Sequence, residues 1–458
     1  MLTTFRYKLN PSQSQLSLMD EWLNMLRSLY NFCLRERIEA YEQVKAPVMG
    51  NYCDLKTKAE CCSLACSVNK NALYGHPWTK KGKRRSAGTQ QDSCLPELKK
   101  AMPWYKKVNA DVLQLLIRRL NKAFENFFEH GRGYPKPKIR SRFRSFAYKP
   151  RQVKIEGNKT YLPGLGWMKF FNSRSIPDGF EIRTVTLRKK ADGWYITVQI
   201  CDDSVPEIST IKPERIESAL GVDVGLKKLV SLNTGETVPN PQFGKKLKRR
   251  KTIRQRRASR KKKGSRHRAK IYQRLAKLDQ KITNQREDYY WKLANYLVHQ
   301  VDLIVFEELN IKGMTARCQP KKDPETGQYL HNNQAAKSGL NKAILDAAWG
   351  ELKLKTKAVA EKSGKLVLEV NPKYSSQECS HCGYISPTNR DQEKFLCESC
   401  GSHDDADVQA SINILNRGLK TLGISNSQLC GVPAKVTPEP ELTGYSKTGT
   451  EKSLSAID

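Results

Sequence analysis

Residues 221–236 read GVDVGLKKLVSLNTGE, which parses as strand, turn, strand, turn. Asp223 ends the first apolar strand, and Gly225 then permits a tight turn. Working outward, residues 302–307 read DLIVFE, a dry strand over Leu303–Phe306 that closes on Glu307. Glu308 follows directly, but neighbours on a strand point to opposite faces, so Glu307 and Glu308 should not both serve one site. Further on, Asp407 falls in the first turn of a helix expected over about 405–417. Taken singly, each acid reads equally as a turn residue, a helix cap or a favourable charge near a helix N-terminus. Their order carries more: strand acid, basic helix, strand acid, helix, cysteine ribbon, helix acid. Three hard carboxylates brought to one sheet end would hold Mg²⁺. Two such ions about 4 Å apart can activate water and stabilise the leaving oxygen of a phosphodiester.

The cysteines give a second signal. Residues 379–382 (CSHC) and 397–400 (CESC) are two CxxC pairs separated by 14 residues. Each pair makes a knuckle, helped by Gly383 and Gly401, and four thiolates from Cys379, Cys382, Cys397 and Cys400 close a tetrahedral shell suited to Zn²⁺. Such a shell leaves no open position, so the zinc is structural. Two disulfides or free thiols are the alternative, and His381 and His403 are the substitute ligands at hand. Of the 13 cysteines, others are loosely clustered (Cys53, Cys61, Cys62, Cys66) or scattered, as Cys33, Cys201 and Cys318 are, which suits a reducing cytosol rather than an oxidised, secreted fold.

Charge limits the partners. Lys and Arg outnumber Asp and Glu by 81 to 46 in 458 residues, a formal net charge of +35. Residues 245–270 alone hold sixteen Lys or Arg and no acid. That density favours a polyanion over a merely solvated face, because counterion release on phosphate neutralisation drives binding. Trp104, Tyr105, Tyr134, Trp167 and Tyr195 are aromatic candidates for base stacking, although core or hairpin packing is the commoner role. No apolar run reaches the roughly 18 residues of a membrane span, and Met1–Asn10 has no signal-peptide character.

Several other elements are legible. Residues 2–9 suit a strand, 13–37 and 110–130 carry helical apolar spacing, and 45–95 read as irregular. Short alternating runs between 145 and 200 suggest a small β-barrel with a hairpin across 191–193. A helix is expected over 341–363 and a strand over 365–370, with a Ser-, Thr-, Pro- and Gly-rich tail from 423.

GVDVGLKKLVSLNTGE, IVFEELNIKGM and YSSQECSHCG…CESCG…DADVQASINILNRG together resemble the TnpB (insertion-sequence OrfB) family. FRYKLNPSQSQ, LYNFCLRER, LPELKKAMPWYKKVNADVLQ and GYPKPKIRSR extend the likeness to residues 1 to about 420. The resemblance implies a multidomain α/β protein. An RNase H-like (RuvC) nuclease domain (206–370 and 402–422) would carry an inserted zinc ribbon (371–401). An N-terminal β-barrel (1–12 and 140–205) would be interrupted by a helical lobe (13–139), and 423–458 would be a disordered tail. It implies RNA-guided cutting of double-stranded DNA, with Asp223, Glu307 and Asp407 as catalytic Mg²⁺ ligands. The implied partners are a guide RNA, target DNA and their heteroduplex, with one protein per RNA, in a prokaryotic cytosol near the nucleoid. Gln409 stands where the family usually has Asn, and Ser411 where it usually has Ala; neither removes a carboxylate. A DNA-binding regulator without cleavage and a strand-joining transposase are the other classes. The transposase would need a paired-histidine site or a different acidic triad, and no HxH pair occurs among the seven histidines.

Overall fold

The computed structural model describes residues 2–45, 87–176, 179–201 and 215–425. The Cys53, Cys61, Cys62 and Cys66 group, most of the 206–218 linker and all but the first residues of the 423–458 tail lie outside them. The chain divides into two compact units at residues 202/203.

In the first unit, β1 (Leu2–Asn10) leads into one long helix, α1 (Gln13–Lys45). Helices α2 (Ala87–Ser93), α3 (Leu95–Ala101) and α4 (Ala110–Phe128) follow, so the stretch read as irregular ends in a helix. Asn109 caps α4 by accepting from the Asp111 N–H at 2.9 Å. Strands β2 (Ser145–Tyr148), β3 (Lys154–Glu156), β4 (Lys159–Leu162), β5 (Gly166–Phe171), β6 (Glu181–Lys190) and β7 (Gly193–Cys201) complete the unit. They form a seven-stranded sheet in the order β2-β6-β7-β1-β5-β4-β3. The expected hairpin is present, with Lys190 opposite Gly193. Its period-2 pattern buries Val185 and Leu187 of β6 and Trp194, Ile196 and Val198 of β7. Those residues share a single core with Trp22, Leu26 and Leu29 of α1 and Val112, Leu116 and Leu120 of α4. Among the described residues no ladder joins β2 to β3, so the hydrogen bonds leave the sheet open. Of the aromatic candidates in this unit, Trp104, Tyr134 and Trp167 are exposed. Tyr105 is core, its hydroxyl donating to the Met25 carbonyl at 3.4 Å, and Tyr195 donates to Asp192 at 2.7 Å.

Glu36 of α1 is buried beside Cys33, and accepts from Gln91 at 2.7 Å. Desolvation pushes its carboxyl up to about 7, against the hydrogen bond from Gln91 and the Arg37 charge. The folded state therefore keeps a proton that the unfolded chain loses above about 4.5. Stability contributed by this group falls as pH rises from about 4.5 to about 7, by an order of ~3 kcal/mol. Glu36→Gln should unfold at the same urea concentration as the parent near pH 4 and at a clearly higher one at pH 8.

In the second unit, β8 (Ala219–Val224), β9 (Lys228–Leu232) and β10 (Thr237–Pro239) make an antiparallel meander. The basic helices α5 (Phe243–Ser259) and α6 (Arg266–Gln300) follow. Helix α6 buries Leu275, Leu278, Ile282, Tyr289, Leu293 and Leu297, spaced three, four or seven apart, on one side. Then come β11 (Leu303–Glu307), the short α7 (Ile311–Met314), a small hairpin of β12 (Lys321–Lys322) and β13 (Tyr329–Leu330), and α8 (Gln334–Ala347). Helix α9 (Trp349–Lys362) and β14 (Leu366–Val370) precede the ribbon strands β15 (Arg390–Asp391), β16 (Lys394–Leu396) and β17 (His403–Asp405), and α10 (Ala406–Leu422) ends the described chain. The main sheet runs β10-β9-β8-β11-β14, with β11 parallel to both β8 and β14. The helix expected over 341–363 is in fact two, broken at Ala348, which has φ 46°. Trp349 donates its indole N–H to the Gly225 carbonyl at 3.0 Å, and the Tyr290 hydroxyl holds the Ala347 carbonyl. These long-range bonds impose a break that an alanine would not choose.

Candidate active site

Parallel pairing places two acids side by side. Val222 of β8 is opposite Phe306 of β11, so Asp223 and Glu307 follow at the same ends of adjacent strands. Both lie where apolar side chains give way to solvent: Glu307 is buried, Asp223 partly so, and Glu308 is exposed. Asp407 arrives from α10. Asp405 caps that helix, accepting from the Asp407 and Val408 N–H groups at 2.9 and 3.3 Å. The helix lies flat on the sheet because two glycines remove side chains from the contact. Gly221 faces Ser411 and Leu415 of α10, and Gly418 faces Val305 of β11.

Asp223 senses both of the other acids. Desolvation is the main cause pushing the Asp223 carboxyl up to about 7, and the charges of Glu307 and Asp407 add to it. Desolvation likewise raises Glu307, opposed by a hydrogen bond from Ser375 and by the Arg417, Lys353 and Arg390 charges. A buried carboxylate raised by like charges is a group short of a cation, and hard oxygens suit a divalent ion. The acids are not drawn into a closed cage. Among the described residues, only the four cysteines bring three or more ligand-type side chains within 4.8 Å of one another.

Glu307 and Asp407 instead have partners of their own. The Ser375 hydroxyl donates to Glu307 Oε1 at 2.6 Å, and Lys353 Nζ donates to the Glu307 carbonyl at 2.9 Å and to Glu369 at 2.6 Å. Arg390 Nη2 bonds Asp407 Oδ1 at 2.9 Å, while Lys228 Nζ sits 3.8 Å from Asp407 Oδ2 and bonds Asp405 at 2.8 Å. Asn413 of α10 donates to the Ser375 and Glu378 carbonyls at 2.8 and 2.7 Å, tying the helix of Asp407 to the loop that orients Glu307. The acids are legible in the sequence, but the roles of Ser375, Lys353, Arg390, Lys228 and Asn413 are not. The charge of Lys228 and Arg390 was visible, but nothing local tied them to Asp407.

The four cysteines converge. Gly383 and Gly401, at φ 75° and 70°, close twin knuckles by donating to the Cys379 and Cys397 carbonyls at 2.9 Å each. The Cys379–Cys400 and Cys382–Cys397 sulfurs are 3.7 and 3.5 Å apart. A disulfide would need about 2.05 Å. The edge of a tetrahedron with Zn–S bonds of ~2.3 Å is ~3.8 Å, so the donor set fits zinc. Desolvation raises the Cys397 thiol, but N–H bonds from Cys400 and Ser399 and its sulfur neighbours outweigh it and pull it down to about 7.

A meander is thus joined to parallel strands, with two acids at the strand ends and a four-cysteine ribbon ahead of the third. Family models described as "Probable transposase", "Cas12f1-like, TNB domain" and "Helix-turn-helix domain" match residues 198–317, 349–414 and 1–46. Over the described residues 2–45 this chain has strand β1 and one continuous helix. "Putative RNA-guided DNA endonuclease InsQ" of Escherichia coli K12 is 32% identical over 415 residues, covering 88% of this chain and 98% of that protein. A "Putative RNA-guided DNA endonuclease" of Streptomyces pristinaespiralis is 28% identical, covering 98% and 95%. A solved Cas12f1–sgRNA–target DNA complex aligns at 16% identity with a TM-score of 0.30, over 92% of this chain and 100% of that one. The chain belongs to the TnpB (insertion-sequence OrfB) family.

Proposed function

We propose that this chain is an RNA-guided DNA endonuclease of a transposable element, cutting by Mg²⁺-dependent phosphodiester hydrolysis at Asp223, Glu307 and Asp407. The observation that carries the reading is the placing of Asp223 and Glu307 at the same end of adjacent strands, where the Glu307 and Asp407 charges both raise the Asp223 carboxyl. Family membership and the names of both relatives support the RNA-guided part. Mg²⁺, when bound, would activate the attacking water and stabilise the departing 3′ oxygen. The chain's own residues do the positioning. Asp223 and Glu307 present oxygens from the rigid strand ends, Asp407 from the first turn of α10, and Ser375 fixes the Glu307 carboxylate. Arg390 and Lys228 bring cations to the same edge, where phosphate charge would arrive.

The remaining assignments follow the same reading. Exposed cations of α5 and the turn after it, among them Lys248, Arg249, Arg256, Lys262 and Lys263, suit the backbones of guide RNA, target DNA and their heteroduplex. The open seven-stranded sheet takes the place of the expected barrel, α1–α4 that of the helical lobe, and residues 371–401 that of a structural zinc ribbon. One protein per guide RNA and a place beside the nucleoid belong to the same reading, and the free cysteines among the described residues fit a reducing cytosol. No helix of the described chain is long and apolar enough to cross a membrane.

Plasmid cleavage with Mg²⁺ and the RNA that co-purifies with the chain tests the reading. RNA-dependent cutting supports it. Binding without cutting would indicate a regulator, and strand joining a transposase. Two narrower results are expected. Ser375→Ala should weaken divalent-ion binding by about 10- to 100-fold, measured by Mn²⁺ titration, because the ligand would lose its orienting bond. Cys382→Ser should take bound zinc, measured by elemental analysis, from one per chain to none, with a lower melting temperature.

A further inference from the structure

We propose that Tyr374 is a stacking platform for a nucleobase of the DNA strand being cut, beside the scissile phosphate; this rests on the reading that the carboxylate site accepts such a strand. Tyr374 has φ 62°, a conformation that L side chains other than Asn and Asp rarely adopt and that a bulky aromatic adopts least. The turn demands it. The Tyr374 carbonyl accepts from the Gln377 and Glu378 N–H groups at 3.0 Å each, and the Ser375 N–H donates to Pro372 at 3.2 Å. Glycine or asparagine would make this turn without strain. The ring is not taken into the core in return: it is 48% exposed, with Lys373 Nζ above it, 4.9 Å from its centroid.

The platform is nonetheless fixed in place. The next residue, Ser375, bonds Glu307 at 2.6 Å. Asn413 holds the Ser375 carbonyl, and Arg417 Nη1 donates to the Asn371 and Lys373 carbonyls at 2.7 and 2.8 Å. A rigid, exposed aromatic with a cation on its face therefore stands one residue from the group that positions a metal-site carboxylate. Strained side chains held by their surroundings cluster at ligand contacts. A flat aromatic surface accepts any base, so the matching ligand is single-stranded DNA without sequence preference.

The test uses the full chain with its co-purifying RNA and a single-stranded oligonucleotide carrying 2-aminopurine. Tyr374→Asn relieves the backbone and removes the ring; Tyr374→Phe keeps the ring. The parent and Tyr374→Phe should quench 2-aminopurine on binding, and Tyr374→Asn should not. KM for the oligonucleotide should rise roughly tenfold in Tyr374→Asn, with a smaller change in kcat. Its melting temperature should be unchanged or higher. Equal quenching and equal KM in Tyr374→Asn would overturn the platform while leaving the nuclease reading intact. A melting temperature that falls in step with activity would also overturn it, making Tyr374 structural. Quenching by a parent chain that does not cut would keep the platform and remove the nuclease reading.

Discussion

Asp223→Asn is expected to lower DNA cutting by roughly 10³-fold or more, with RNA binding unchanged. Asparagine preserves the shape of the side chain at the end of β8 but not its charge or its capacity to hold a hard cation. The fold should not suffer. In the absence of divalent ions, Asp223 is destabilising when ionised, because desolvation and the Glu307 and Asp407 charges oppose it. Its carboxyl is raised in the folded chain, so the folded state favours the protonated form and loses stability as pH rises toward about 7. The variant should accordingly be more stable than the parent at pH 8 in chelator, and the difference should vanish near pH 4. Cleavage rates, RNA affinity by filter binding, and thermal unfolding at the two pH values check the three parts. Retained cutting would remove Asp223 from the site; joint loss of cutting and RNA binding would point to misfolding.

Gly221→Ala should produce the largest loss of stability from a single added carbon. A Cβ at this position would lie 2.0 Å from the Ser411 carbonyl oxygen and 2.8 Å from Leu415 Cβ. The first of these is helix backbone, which cannot swing aside, so α10 must lift from the sheet. Overpacking of this kind costs about 3 kcal/mol or more. For a unit of this size that corresponds to a fall in Tm of about 6–12 °C. Because α10 also carries Asp407, cutting should fall with stability. Gly339→Ala is the control: it lies in α8 with nothing within 4 Å of its added carbon, and should be neutral or slightly stabilising. Calorimetry on both variants distinguishes a close contact from a general intolerance of change.

How much of this was legible beforehand depends on the range of the interaction. Strands β8 and β11 were readable because apolar runs with a terminal acid are local patterns, and period-2 geometry alone separated Glu307 from Glu308. The cysteine knuckles were readable because CxxC spacing and the following glycine fix their geometry within five residues. The break at Ala348 was not, since alanine favours continuing a helix. It is imposed by Trp349 reaching Gly225 and by Tyr290 reaching Ala347. Nor was the single core shared by α1, α4 and the seven-stranded sheet, because pairing β1 with β7 joins residues nearly two hundred positions apart.

What the sequence determined by itself was the inventory: three acids in a given order, four thiols at ligand spacing, and a cationic surplus that calls for a polyanion. Only the tertiary structure decided that these groups act on one another. It set Asp223 beside Glu307 through parallel pairing, brought Asp407 in over two glycines, and gave Glu307 a partner in Ser375 and Asp407 partners in Arg390 and Lys228. The reason is physical. Spacing along a chain fixes which side chains share a strand or a turn, whereas a charge or hydrogen-bond partner is chosen by distance in space, which exists only once the sheet and its helix have packed.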